Sequence, residues 1–347
     1  MSTPESTPEQ MLADLQFLTQ DYLPQARWTI GGAMRFDSSL FIINNFFRQI
    51  YHLRRFDNVA ACPPCPWNLD WFVQRRPIMF DQYINALETY AQQQVGVVLV
   101  FDNPNLSGDD FNDAYCLQLA QELYQRDRLR KNAICVANDA LAERLRAALP
   151  KLRLYCHVNR LVMEKGKRSA ALYNKLATTY DRVCLHPADA VKPSITQALE
   201  QKEKFDIILN DTCLRNCPVR REHLALLAEM RRAPYDTDLM RRRADLIARV
   251  ACQKANPGEL QQKASCNLTR LEAAALYEAG FRSFIIQAQQ FRNEMTLLWD
   301  IFQCMFDFSP EISNKAALIA ASAMADFGKP SSALPSGLRQ FHFSNYE

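Results

Sequence analysis

Short apolar-rich runs, most of them continuous rather than alternating, recur along this chain with segments of helical period between them. The runs are Asn58–Ala61, Val95–Phe101, Ala133–Val136, Leu152–His157, Arg182–Leu185, Asp206–Leu209 and Arg282–Ile286. Strands covered on one face only would alternate apolar and polar. Unbroken runs fit strands buried on both faces, as in a parallel sheet under helices. Helical spacing fills Met79–Gln94, Asp109–Leu129, Asp139–Leu149, Arg168–Tyr180 and Ala190–Lys202. Repeated strand-then-helix units define an α/β chain. An eighth strand at Ala264–Leu268 or Thr29–Phe36 would complete a TIM-like (β/α)8 barrel.

The expected organisation is a helical N-terminal extension over 1–55, a barrel over 56–308, and a C-terminal helix and tail over 309–347. A doubly wound open sheet is the alternative. It usually carries a glycine-rich phosphate turn after a strand. The chain has only 9 glycines, and none forms such a turn.

Composition narrows the function classes. A net charge of +3 is too small to imply nucleic acid. No run of about 18 apolar residues is present, so no membrane span is expected. Met1–Gln10 has no basic segment leading into an apolar core, which predicts a cytoplasmic chain without a secretory leader. For a reducing compartment, 11 cysteines are many, and clustered thiols there point to metal or catalysis rather than disulfides. Cys116, Cys135, Cys156, Cys184 and Cys304 lie in apolar runs and read as core residues.

The strands end in residues that coordinate or hydrogen-bond: Asp102-Asn103, Asn138-Asp139, His157 to Arg160, His186 to Asp189, Asn210-Asp211 and Gln287 to Gln289. In a barrel these ends ring the face where active sites are built. Asn103, Asn138, Asn159, Arg160 and Asn210 are the expected substrate contacts. His157, His186 and Arg220 are the expected catalytic groups, with Arg220 or Arg160 anchoring a carboxylate. Asn138, Asp139 and Asp189 equally suit helix caps.

One strand end stands apart. After Ile207-Ile208-Leu209 come Cys213, Cys217 and Pro218. Proline favours the first helical position, so Cys217 is expected near a helix N-cap, where a thiolate is stabilised. Cys252 and Cys266 extend the set to Cys-x3-Cys-x34-Cys-x13-Cys. Four thiolates suit tetrahedral zinc or an iron–sulfur cluster. Zinc ribbons usually bring two close pairs, and this half of the chain has one, which favours the cluster. Cys62 and Cys65, between prolines, are a further pair. The arginines at 231–232 and 241–243 alternate with acids and read as a solvated helix face.

The run Asn210 to His223, with Cys213, Cys217, Pro218, Arg220 and His223, resembles the Asn-x-x-Cys-x-x-x-Cys-Pro-x-Arg-x-x-His signature of the collagenase-like (U32) peptidase superfamily, in a bacterial branch. Asp102-Asn103-Pro104, Asp113 to Cys116, Lys131-Asn132 and Tyr277 to Phe284 also resemble that branch, and the likeness runs over roughly 58–291. The resemblance implies a TIM-like barrel with a four-iron four-sulfur cluster, Cys213 and Cys217 as matched ligands and Cys252 as a third. It further implies oxygen-independent hydroxylation, which relatives perform on ubiquinone precursors or RNA bases with prephenate as oxygen source. The hydroxylases' cysteine spacing is not reproduced. Gln287-Ala288-Gln289 stands where relatives often have Gly-Arg.

Two function classes follow. One is an iron–sulfur enzyme modifying a small, anionic or cofactor-like substrate. The other is a zinc- or cluster-stabilised non-catalytic subunit of a heteromeric complex with a protein partner. True peptidase activity ranks last, since no nucleophile elbow or hydrolytic zinc motif is present.

Overall fold

The computed structural model describes residues 22–51, 56–69, 78–211, 213–233, 235–250, 267–288, 294–307 and 309–325. Eight parallel strands close into a barrel in chain order. They are β1 (Arg27–Ala33), β2 (Asn58–Ala61), β3 (Gly96–Phe101), β4 (Ala133–Val136), β5 (Arg153–Cys156), β6 (Arg182–Cys184), β7 (Phe205–Ile208) and β8 (Ser283–Ile286). β8 pairs back onto β1, with Arg27 opposite Ser283 and Ile30 opposite Ile286. The helices are α1 (Asp37–Tyr51), α2 (Phe80–Gln92), α3 (Ala114–Gln125), α4 (Asp139–Ala148), α5 (Val158–Val162), α6 (Ala170–Thr179), α7 (Pro187–Ala190), α8 (Pro193–Thr196), α9 (Arg220–Arg232), α10 (Thr237–Arg249), α11 (Arg270–Glu278), α12 (Glu294–Met305) and α13 (Pro310–Ala325).

Alternate strand residues point outward and are sealed: Ile30, Val59, Leu99, Ile134, Val183 and Ile207 have no exposed surface. Each such side chain stabilises the barrel by about 1.5–3 kcal/mol. The residues between them face inward and differ in kind. Val98, Ala133 and Tyr155 form a cluster against which Ala60, Val100 and Cys135 pack. Those last three, with Ile285 of β8, are only part-buried although they sit in mid-strand. Small side chains on this wall leave room inside the barrel.

The barrel strands fall in one compact unit, Ala26–Arg35 with Asp57–Gln290. The described helices α1, α12 and α13 belong to a second unit, in which the Tyr22 backbone N–H donates to Met305 at 3.2 Å.

The structure departs from the sequence-based expectation at three places. The eighth strand is Arg27–Ala33, at the Thr29–Phe36 alternative, which puts a strand inside the 1–55 segment expected to be a helical extension. Its apolar run is interrupted by Gly31 and Gly32, which hides it. Ala264–Cys266 lie outside the described residues, and Asn267 and Leu268 are not in a strand. Second, Ala190–Lys202 is not one helix. Pro193 opens α8, and Lys192 before it is extended at φ −103°, ψ 107°, because the residue preceding proline is pushed out of the α region. Third, α9 begins at Arg220 with Val219 as N-cap. Cys217 therefore sits in a turn ahead of the helix, its N–H donating to Leu214 at 3.2 Å, and Pro218 is not the first helical residue.

Among the described residues no helix is long and apolar enough to cross a membrane. The arginine-rich α9–α10 pair packs through Leu226, Met230, Leu239 and Leu246. Its outer arginines are paired: Arg232 with Asp110 at 2.8 Å, Arg242 with Glu229 at 3.3 Å, Arg249 with Glu222 at 3.2 Å, and Arg241 with Asp238. Exposed pairs of this kind contribute about 0–1 kcal/mol each. They neutralise the face rather than present a basic stripe.

Candidate functional site at the carboxyl ends of the strands

The turn after β7 is organised by one carboxylate. Asp211 is buried. One of its oxygens accepts the backbone N–H of Cys213 at 3.0 Å, and the other receives Arg220 Nη2 at 3.0 Å. Asp211 thus ties the start of the cysteine turn to the first residue of α9. Burial raises the carboxyl, but the Arg220 charge and the Cys213 and Arg220 hydrogen bonds outweigh it and hold Asp211 below the usual carboxylate range. Next to it, Asn210 grips the end of β8, donating from Nδ2 to the Gln287 carbonyl at 2.9 Å and accepting the Gln287 N–H at 2.7 Å. Arg215, in the middle of the turn, is drawn aside by Glu272 at 2.9 Å and by the Asn267 carbonyl at 3.0 Å. Glu272 itself closes a capping box with Thr269 at the start of α11.

Both histidines cap helices. His157 Nδ1 accepts the N–H of Asn159 at 3.2 Å, and His186 Nδ1 accepts that of Ala188 at 3.2 Å. A backbone N–H can only donate, so Nδ1 is the acceptor and the proton of each neutral ring sits on Nε2. Burial and the Arg220 charge lower His157 to about 4. The same causes, with Arg168 added, lower His186 to about 3. Both imidazoles are neutral at pH 7. They offer Nε2–H donors; neither is poised to exchange protons near neutrality.

A stability prediction follows from these shifts. An unfolded histidine binds its proton near pH 6.5, whereas these folded ones bind it only near 4 and 3. Below pH 6.5 the unfolded state takes up more protons, so stability falls as pH falls through that window. Urea unfolding between pH 7 and pH 4 should show the decline. His157→Asn, which keeps an N-cap acceptor, should flatten it. An unchanged slope would contradict the buried, neutral assignment.

Beneath His186 lies a network that no sequence pattern announces. Asp189 is buried and accepts Arg168 Nε at 2.5 Å, Lys192 Nζ at 2.8 Å and the Tyr173 hydroxyl at 2.9 Å. Arg168 also reaches His186 Nδ1 at 3.4 Å. Tyr173 Oη accepts the His186 N–H at 3.2 Å. In sequence Asp189 reads as a strand-end contact or a helix cap, and nothing local marks Arg168, which is 21 residues away.

The other expected contacts are spent inside the fold. Asn138 caps α4 through Leu141 and donates to the Pro104 and Leu106 carbonyls at 3.0 and 3.2 Å. Asn159 donates to the Asp102 carbonyl at 2.9 Å, and Asn103 accepts the Asn105 N–H at 3.0 Å. Arg160 pairs with Asp139 at 2.9 Å and with Glu164. The carboxylate anchor expected at Arg160 is already occupied by the protein's own acids. Arg220, the other arginine considered, is likewise paired, with Asp211 at 3.0 Å.

The cysteines separate into groups. Cys213 and Cys217 share the β7 turn and are part-exposed. Cys252 and Cys266 lie outside the described residues. Cys65 is buried, accepts Asn68 Nδ2 at 3.7 Å and neighbours Cys116 of α3, while Cys62 is exposed. This upstream pair has its own surroundings. Burial raises the thiols of Cys116, Cys135, Cys156 and Cys184, keeping them protonated. Cys135 and Cys304 are half-buried, short of the full core burial expected of them. Among the described residues no group of three or more His, Cys, Asp or Glu converges to hold a metal. Two accessible thiols on one turn nevertheless fit two ligand positions of a thiolate-held cluster or zinc.

No family model matches the sequence, and no curated protein matches it. Among solved structures, the chain is similar to that of a U32 peptidase, with a TM-score of 0.46 and 11% sequence identity over 76% of this chain and 92% of that one.

Proposed function

We propose that the chain is a barrel enzyme in which Cys213 and Cys217 hold an iron–sulfur cluster at the carboxyl mouth, beside a pocket for a small or cofactor-like substrate. The observation that carries this reading is the double role of Asp211. One carboxylate fixes the Cys213 backbone and, through Arg220, the start of α9. His157 and His186 lie within the field of the same Asp211–Arg220 pair. In this reading the two thiols, the Asp211–Arg220 pair and two neutral imidazoles serve one side of the mouth. The part-buried Ala60, Val100 and Cys135 line the barrel interior from the other side.

When bound, such a cluster supplies electron transfer or electrophilic activation of substrate. The protein's own groups bind and orient. The imidazole Nε2–H groups donate to an acceptor oxygen on the substrate. Arg220, its charge largely offset by Asp211, holds the start of α9 against the cysteine turn. The small-residue wall receives the apolar part of the ligand. Oxygen-independent hydroxylation, or a related modification, is the reaction the family resemblance suggests.

The zinc-stabilised, non-catalytic subunit is the second reading. The observation favouring it is that both histidines are held far from a working pKa, which suits binding better than proton transfer.

The two readings diverge in metal content. The full chain purified without oxygen should carry about four iron and four sulfide per chain, lost in both Cys213→Ser and Cys217→Ser. About one zinc per chain, with no iron, would support the second reading. Absence of both metals would overturn the two together.

A further inference from the structure

The barrel lumen is packed at its floor and hollow above it. An eight-stranded parallel barrel staggers by one residue per strand, so inward side chains from alternate strands stack in layers of four. The strand registers place Thr29, Val98, Tyr155 and Asp206 in one such layer. All four are buried, which closes the lumen below. The next layer up holds Ala60, Cys135, Cys184 and Ile285. Val100 and His157 belong to the layer above that.

Barrel layers are ordinarily filled by bulky branched side chains. In the Ala60 layer three of the four residues are alanine or cysteine, too small to meet across the lumen. Their surfaces bear this out. Ala60, Cys135 and Ile285 are only part-buried, and so are Val100 and His157 above them. Burial still drives the Cys135 thiol well above its ordinary range. A side chain enclosed by protein yet reachable by water lines an internal hollow. Cys184 and Ile208 are buried and fill the β6–β7 side, so the open space lies toward β2, β3, β4 and β8.

We infer that this hollow is a binding well for a small uncharged apolar group, entered from the carboxyl face and ending on the Val98–Tyr155 layer. Its wall of Ala60, Val100, Cys135 and Ile285 carries no charge to balance an ionised ligand, and burying an unpaired charge is costly. Water is held poorly there too, because a buried water needs two to four polar partners and this wall offers one thiol. An apolar group replaces that water at a gain. Two residues of strand rise about 7 Å from the Ala60 layer to the mouth, room for one ring or a chain of a few carbons. Ala60 and Cys135 set the width of the well. The inference shares with the proposed function only the placement of the ligand's apolar part. The well stands whether the cysteine turn holds iron, zinc or neither, so each can fail alone.

The test is thermal unfolding of the full chain with benzene added stepwise. A saturating rise in Tm is expected, as for any ligand of the folded state. In Ala60→Leu, whose added carbons occupy the hollow, the rise should vanish. No saturating rise, or the same rise in Ala60→Leu, would overturn the inference. Should Ala60→Leu fail to fold, crystals of the unmodified chain under xenon pressure decide. An anomalous xenon peak bounded by Ala60, Cys135 and Ile285 supports the well, and a lumen without xenon refutes it.

Discussion

Replacing Arg220 by methionine should lower the unfolding free energy by about 3–5 kcal/mol, because it leaves a buried carboxylate without its counter-charge. Asp211 and Arg220 are both buried and meet at 3.0 Å. Methionine fills much of the same volume, so the loss reports charge rather than a cavity. The double variant Asp211→Asn with Arg220→Met should recover a large part of it. Asparagine keeps a carbonyl oxygen for the Cys213 N–H but carries no charge to strand. Urea unfolding of the two single variants and the double variant closes the cycle. A coupling near zero would mean that the pair is solvated and does not organise the cysteine turn.

The second large effect is expected at Gly31. A Cβ placed there lies 2.5 Å from the Ala288 backbone nitrogen and 3.2 Å from the Gln287 backbone. Backbone cannot swing aside as a side-chain tip can, so Gly31→Ala should cost about 3 kcal/mol, the upper end of overpacking penalties. The damage should also reach the site, because the displaced segment is the one Asn210 grips through Gln287. Gly166→Ala is the control, since a Cβ at that position meets nothing within 4 Å; it should leave stability nearly unchanged. Equal stability of the two alanine variants would show that β8 yields freely at its end.

Most of the barrel is legible in the sequence because its strands are short, largely continuous apolar runs rather than alternating ones. All but β1 appear as unbroken runs, and the structure finds each within a residue or two. β1 is obscured by physics that a window of residues does not carry. Gly31 lets the end of β8 pass close by, a contact between distant parts of the chain. Proline explains the segment after β6 in the opposite way. The pattern there looks helical, yet Pro193 restricts the residue before it and divides the helix.

The site is legible in place more than in state. Strand-end position marks out His157, His186, Asn210 and the cysteine turn. What each group does depends on partners from other strands. The two imidazoles look like proton carriers in sequence, but capping contacts fix their tautomers and burial holds them neutral. Arg160 and Asn138 look like ligand contacts, but Asp139, Glu164 and the loop carbonyls already occupy them. Asp211, in sequence only a polar strand end, proves to be the residue that ties the turn together. The faint sign of it is an aspartate two residues before a cysteine, the spacing of a side chain closing on the backbone ahead.

The most direct test of the proposed centre is X-ray diffraction from anaerobically grown crystals of the full chain, with data collected on both sides of the iron absorption edge. The expected result is an iron anomalous peak within bonding distance of the sulfur atoms of both Cys213 and Cys217, on the carboxyl side of β7. Clear density for the two cysteines, with no iron peak beside them in protein kept from oxygen throughout, would contradict it.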